Sequence, residues 1–185
     1  MNTRPHLFFA LLVSLLSAPL LAEEPTATYP LLEVEDGDTL LLDIEGEPVR
    51  VQLLGIDAPE DADNPKFKLD LENTGMAYDE LKQLGLASSE HLKSLLIVGE
   101  KVSIQGSLRE KDRYGRIPAV IDNAAGRSLP EAMVQDGYAI ALPVTKRDFS
   151  YNKRLDRLER FSRKSNNGLW GSHHESFRKW YDRTR

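Results

Sequence analysis

Short β-branched and leucine-rich runs, Thr28 to Glu35, Thr39 to Ile44 and Val49 to Ile56, follow one another with Asp-Gly and Glu-Gly turns between them. That spacing predicts strands joined as hairpins. Lys101 to Gly106 and Ile117 to Ile121 add two further strands. The first three connect through tight turns and none leads into a regular crossover helix, so the pattern favours a small closed barrel over a doubly wound sheet. The expected class is α+β, mainly β.

Helical periodicity marks about three helices. Leu92, Leu95 and Leu96 end the first before Gly99, while Ala77, Leu81 and Leu84 continue its period across Gly85, as one kinked helix or two. Ser128-Leu129-Pro130-Glu131 has the form of a capping box with proline in the first turn, and Leu129, Ala132 and Met133 share a face before Gly137 stops the second. Tyr151, Leu155, Leu158 and Phe161 form the apolar stripe of a third between Ser150 and Gly168, with Arg154, Arg157, Arg160 and Lys164 off it. Asp61 to Gly75, polar and containing Pro65, reads as a surface loop.

Composition narrows the chemistry. The 185 residues include no cysteine, which excludes disulfides, thiolate metal sites and cysteine nucleophiles. A metal would have to be held by oxygen or imidazole. Residues 1–22 open with Arg4, run through Leu7 to Leu16 and reach Ala22, the form of a secretory signal peptide whose apolar core is too short to span a bilayer; an uncleaved anchor is the alternative. The expected organisation is a signal peptide at 1–22, one domain over 23–170 and a basic extension over 171–185, exported to the periplasm or medium, with no membrane association after cleavage and a monomer as default. The net charge of −5 hides an asymmetry. Lys146 to Arg185 carries 12 Lys and Arg against 5 Asp and Glu, and Glu23 to Thr145 carries 11 against 24. A basic arm of this kind either holds phosphate backbones or pairs with the acidic body.

The candidate chemistry lies at strand ends. Asp36-Gly37-Asp38-Thr39 closes the first strand and Gly55-Ile56-Asp57-Ala58-Pro59-Glu60 follows the third, so three aspartates and a glutamate come within reach of one hard cation if those strands pair. Asp112-Arg113-Tyr114-Gly115-Arg116 is a distant complement. Taken alone, Asp36-Gly37-Asp38 reads as turn chemistry and Asp112 to Arg116 as a polar hairpin tip. His173 and His174 are a further adjacent pair, and Trp170 and Trp180 read as docking residues of the C-terminal segment.

These motifs in this order, with Gly168-Leu169-Trp170 near the end, resemble the thermonuclease family, the staphylococcal-nuclease-like domains, across nearly the whole sequence beyond residue 22. The resemblance implies a five-stranded Greek-key barrel of the oligonucleotide-binding (OB) type with three helices, and Ca2+-assisted hydrolysis of DNA or RNA; the sequence leaves open whether Mg2+ or Mn2+ substitutes for Ca2+. Asp38 and Asp57 fall on the family's calcium carboxylates, the Ala58 carbonyl on a third oxygen, and Asp36 in or just beyond the ion's ligand shell. Glu60 falls on the residue assigned to activating the attacking water, and Arg116 on one of two phosphate-binding arginines. Arg113 and Tyr114 retain substrate-binding positions.

Two departures stand out. Gln52 occupies the position of the second arginine and supplies no charge to a transition state that gains it, which leaves a catalytically impaired binding module of the same fold as the alternative reading. Arg50, two residues earlier and so on the same strand face, is the candidate substitute. The family's tyrosines after the second helix fall at Pro143 and Thr145, and base stacking on aromatics is a main source of sequence-tolerant affinity.

Overall fold

A computed structural model describes residues 27–144 and 149–184. The signal-peptide segment at 1–22 and position Thr145 lie outside the described residues. Five strands, β1 (Thr28–Val34), β2 (Thr39–Ile44), β3 (Glu47–Leu53), β5 (Lys101–Gln105) and β6 (Ile117–Asp122), close into a barrel in the order β1-β2-β3-β6-β5. β3 and β6 pair in parallel, and every other barrel pair is antiparallel. This is the five-stranded Greek-key arrangement of the OB fold. Side-chain alternation sends Val51 and Leu53 of β3, Val102 and Ile104 of β5, and Ile117, Ala119 and Ile121 of β6 into one core with Leu40 and Leu42. Arg50 and Gln52 consequently face outward.

The strand expected from Val49 to Ile56 is interrupted. The chain turns at Leu54 and Gly55 and resumes as β4 (Ile56–Asp57), paired with β7 (Ile140–Ala141) outside the barrel. Gly55 has φ +80°, and a Cβ there would meet Leu155 and Tyr151 at 2.9 Å, so glycine answers both the turn and the packing.

Six helical segments accompany the strands among the described residues: α1 (Pro65–Thr74), α2 (Tyr78–Ser94), α3 (Leu129–Gln135), α4 (Phe149–Ser165), the four-residue α5 (Leu169–Ser172) and α6 (His174–Thr184). α2 is one helix running through Gly85, and α3 and α4 occupy the second and third expected positions. The polar segment expected as a loop instead forms α1. Asn64 caps it by accepting from the Phe67 N–H at 2.9 Å, Pro65 starts it, and Gly75 ends it in the left-handed region. The capping box at α3 does not form: the Ser128 hydroxyl caps nothing, and Glu131 pairs with Arg154 at 3.1 Å. Phe161, expected on the docking stripe of α4, is 54% exposed, and Glu159 and Ser162 are buried in that helix.

A second apolar cluster lies beside the barrel core. α6 contributes Phe177, Trp180 and Tyr181, α1 contributes Phe67, α2 contributes Leu81 and Leu84, and Leu169 and Trp170 complete it. Its edge is polar. Asp70 of α1 is buried and accepts from the Trp180 indole N–H at 3.1 Å.

Candidate active site

The carboxylates predicted from the sequence sit where the barrel mouth meets α1 and α2. Asp36 and Asp38 lie in the turn between β1 and β2. The Asp36 carboxylate accepts from the Asp38 N–H at 2.9 Å, so the segment is an Asx turn as well as part of the site. Asp38 is 2% exposed, and its two oxygens accept from the Thr39 hydroxyl at 2.9 Å and the Ala58 N–H at 3.3 Å. The Asp38 carbonyl accepts from Leu53 N–H at 2.8 Å, which ties this turn to the end of β3. Gly37 admits a close approach: a Cβ there would stand 2.7 Å from Ser88 of α2 and 2.8 Å from Ala58. Asp57, 5% exposed, is carried by β4, with Ala58 buried beside it.

Glu60 is 5% exposed and held on both oxygens. Asn64 Nδ2 donates to Oε2 at 2.5 Å, and the Lys66 ammonium lies 3.4 Å from Oε1. Its backbone is fixed from α2. Gly85 leaves room for the Glu60 carbonyl, which a Cβ would approach to 2.0 Å, while Lys82 donates to the Asp61 carbonyl and Ser89 to the Asp61 carboxylate.

Burial and crowding act on these groups together. Desolvation, reinforced by Asp38 and Glu60, raises the Asp36 carboxyl well above the ordinary carboxylate range. Desolvation also raises Asp57, with Lys66 opposing and Asp38 and Asp70 adding to the rise. The Glu60 carboxyl is raised by burial too, against the pull of Lys66 and Asn64. A set of buried oxygens that destabilise one another's charge is chemistry that a hard cation relieves.

Arg116 reaches the cluster from the far side. The Asp112 carboxylate holds it, accepting from its backbone N–H and its Nε, both at 2.9 Å. One terminal nitrogen donates to Thr39 Oγ1 at 3.2 Å and stands 3.7 Å from Asp38. Tyr114 is exposed beside it, with the guanidinium groups of Arg113 and Arg116 4.8 and 5.3 Å from its ring. A pocket of about 160 Å³ opens onto the site between Asp36, Glu60, Lys66, Tyr114, Arg116 and Arg50.

The two strand-face candidates part company. Arg50 lines this pocket, 46% exposed, and its Nε donates to Glu35 at 2.6 Å. Gln52 is opposite Thr39 in the β2–β3 register and does not line the pocket. Pro143 is exposed and offers no ring for stacking. His174 is turned to the Trp170 carbonyl and His173 to Ser172. Tyr151 is buried with its hydroxyl on the Leu54 carbonyl.

Three residues at the site escaped the sequence reading: Asn64, Lys66 and Asp70. The Lys66 ammonium lies 3.3 Å from Asp57 and 3.1 Å from Asp70 as well as against Glu60. Among the described residues, no three His, Asp or Glu side chains form a ready cage for a metal. The donors are nevertheless of the right kind. Asp38, Asp57 and the Ala58 backbone belong to adjoining strand ends, and Ca2+ takes about six to eight oxygens, carboxylates, backbone carbonyls and waters among them.

The sequence matches the family described as staphylococcal nuclease homologue over residues 50–172. It is 26% identical over 146 residues to the thermonuclease of Staphylococcus hyicus, covering 78% of this chain and 76% of that protein. It is 31% identical over 94 residues to the thermonuclease of Staphylococcus intermedius, covering 51% and 48%. It is also 31% identical over 110 residues to endonuclease YhcR of Bacillus subtilis, 57% of this chain and 8% of that much longer protein.

Proposed function

The chain belongs to the staphylococcal nuclease homologue family, and from that premise we propose that it hydrolyses phosphodiester bonds of DNA or RNA, with Glu60 activating the attacking water beside a Ca2+ ion. The observation that carries this reading is the setting of Glu60. It is a buried carboxylate clamped on both oxygens, set among Asp36, Asp38 and Asp57, at the wall of a pocket that Arg116 and Tyr114 also line.

Asp38, Asp57 and the Ala58 carbonyl would hold the ion, with Asp36 at its margin; once bound, Ca2+ would polarise a phosphate oxygen and orient the water. Glu60 takes the proton from that water, and Asn64 keeps the carboxylate aimed while it does so. Arg116, fixed by Asp112, presents its guanidinium to charge building on the phosphoryl oxygens. Tyr114 offers an exposed ring to a base or sugar. Arg50 supplies a second cation to the same pocket, in place of the arginine absent at Gln52. The protein acts outside the cytoplasm once residues 1–22 are removed, which N-terminal sequencing of the mature protein tests.

A second reading, a nucleic-acid or protein binding module, rests on Gln52 and on the Glu35 carboxylate that already neutralises Arg50. Digestion of single-stranded DNA, plasmid DNA and RNA with Ca2+ or with chelator separates the two. Cleavage that needs the metal supports the nuclease; binding without cleavage at high protein concentration supports the module.

A further inference from the structure

Lys66 sets its nitrogen among three of the carboxylates at once. Its ammonium lies 3.3 Å from Asp57 Oδ1, 3.4 Å from Glu60 Oε1 and 3.1 Å from Asp70 Oδ2. Asp70 keeps it there. The same Oδ2 accepts from the Trp180 indole at 3.1 Å, so α6 fixes Asp70 and Asp70 draws Lys66 inward. Position 66 lies in the first turn of α1, whose cap Asn64 is bonded to Glu60, so the lysine stem starts from a backbone anchored to the site.

Resting on the metal-site reading above, we propose that Lys66 is an internal competitor of the divalent ion: it neutralises the cluster in the metal-free protein and sets how tightly the ion binds. Asp57 is common to both. A unit positive charge and a doubly charged ion drawing on the same buried carboxylate repel each other strongly where water does not screen them. A lysine is suited to this role, because it is a compact charge on a flexible four-carbon stem. Its side chain is 26% exposed and lines the pocket, so an ammonium displaced from Asp57 has an open path into that pocket.

Calorimetric titration of the purified protein with CaCl2 tests this directly, using Lys66→Met and Lys66→Gln, each removing the charge with a different residual polarity. Lys68→Met is the control: it removes the same charge from the same helix, but its ammonium is exposed and faces Asp63 at 3.6 Å. The expected result is a Kd for Ca2+ at least about tenfold lower in both Lys66 variants, and within about twofold of wild type in Lys68→Met. Equal or weaker binding in the Lys66 variants overturns the competition and leaves the nuclease reading in place. Failure of wild type and all variants to bind Ca2+ overturns the metal site and the inference with it.

Discussion

The Arg50 guanidinium and the Gln52 amide point the same way from β3, yet only Arg50 reaches the pocket. The reason is lateral: Gln52 stands opposite Thr39, which already accepts from Arg116, whereas Arg50 stands opposite Leu41 and reaches past it to Glu35. Half-exposed and paired, Arg50 is a screened cation. Arg50→Gln is therefore expected to lower kcat/KM by only about tenfold, the lower end of what a hydrogen bond to a charged group contributes, with the loss shrinking at high salt. Steady-state rates at two ionic strengths check this. Asp38, Asp57, Glu60 and Arg116 were all legible from short motifs, because each lies in or beside a turn whose glycines and proline mark it. Lys66 and Asp70 were not. Each is an ordinary charged residue of a polar segment, and only the docking of α1 against α6, with its cap Asn64 tied to Glu60, brings them to the carboxylates.

Helix α2 is the element on which the site leans. Glycine inside a helix is less favourable than alanine by about 1 kcal/mol, so Gly85 has to be explained by what it touches. It touches the Glu60 carbonyl. Gly85→Ala would force that carbonyl away, and it is expected to cost about 1–3 kcal/mol of stability and to reduce activity through displacement of Glu60. Urea unfolding and rate measurements on the same preparation check both. The periodicity of Leu81, Leu84 and Leu92 made α2 visible across Gly85. α1 was hidden by its composition, since only Phe67, Asp70 and Thr74 are buried along ten residues; its signals were the Asn64-Pro65 start and the Gly75 stop. α6 presents Phe177, Trp180 and Tyr181 at helical spacing within a charged tail. Trp180 is fully buried, and Trp180→Ala is expected to lower unfolding free energy by about 3–5 kcal/mol, as read from denaturant midpoints at constant slope.

Across the whole molecule, two packed units share the load. The barrel core fixes the strand ends, and the cluster between α1, α2 and α6 fixes the loop that carries Glu60. A pH response arises elsewhere, at His91, which stacks on Tyr138 with ring centres 4.0 Å apart and is bonded to Asp136 at 3.0 Å. Burial holds its imidazole below the ordinary histidine range, with the Asp136 partner opposing and Arg127 assisting. The unfolded chain then binds the proton more readily, so this contribution to stability is complete above about pH 6.5 and is lost as pH falls below it. His91→Gln should lose less melting temperature than wild type between pH 7.5 and 5.5; identical losses would refute the assignment. In the function proposed above, one buried glutamate beside a divalent ion makes this fold a nuclease. The initial rate of DNA and RNA cleavage in Ca2+ by wild type and Glu60→Gln tests it most directly. Cleavage by wild type with a fall of about 10²–10⁴ in the variant is the predicted result, and equal rates, or no cleavage by wild type, would contradict it.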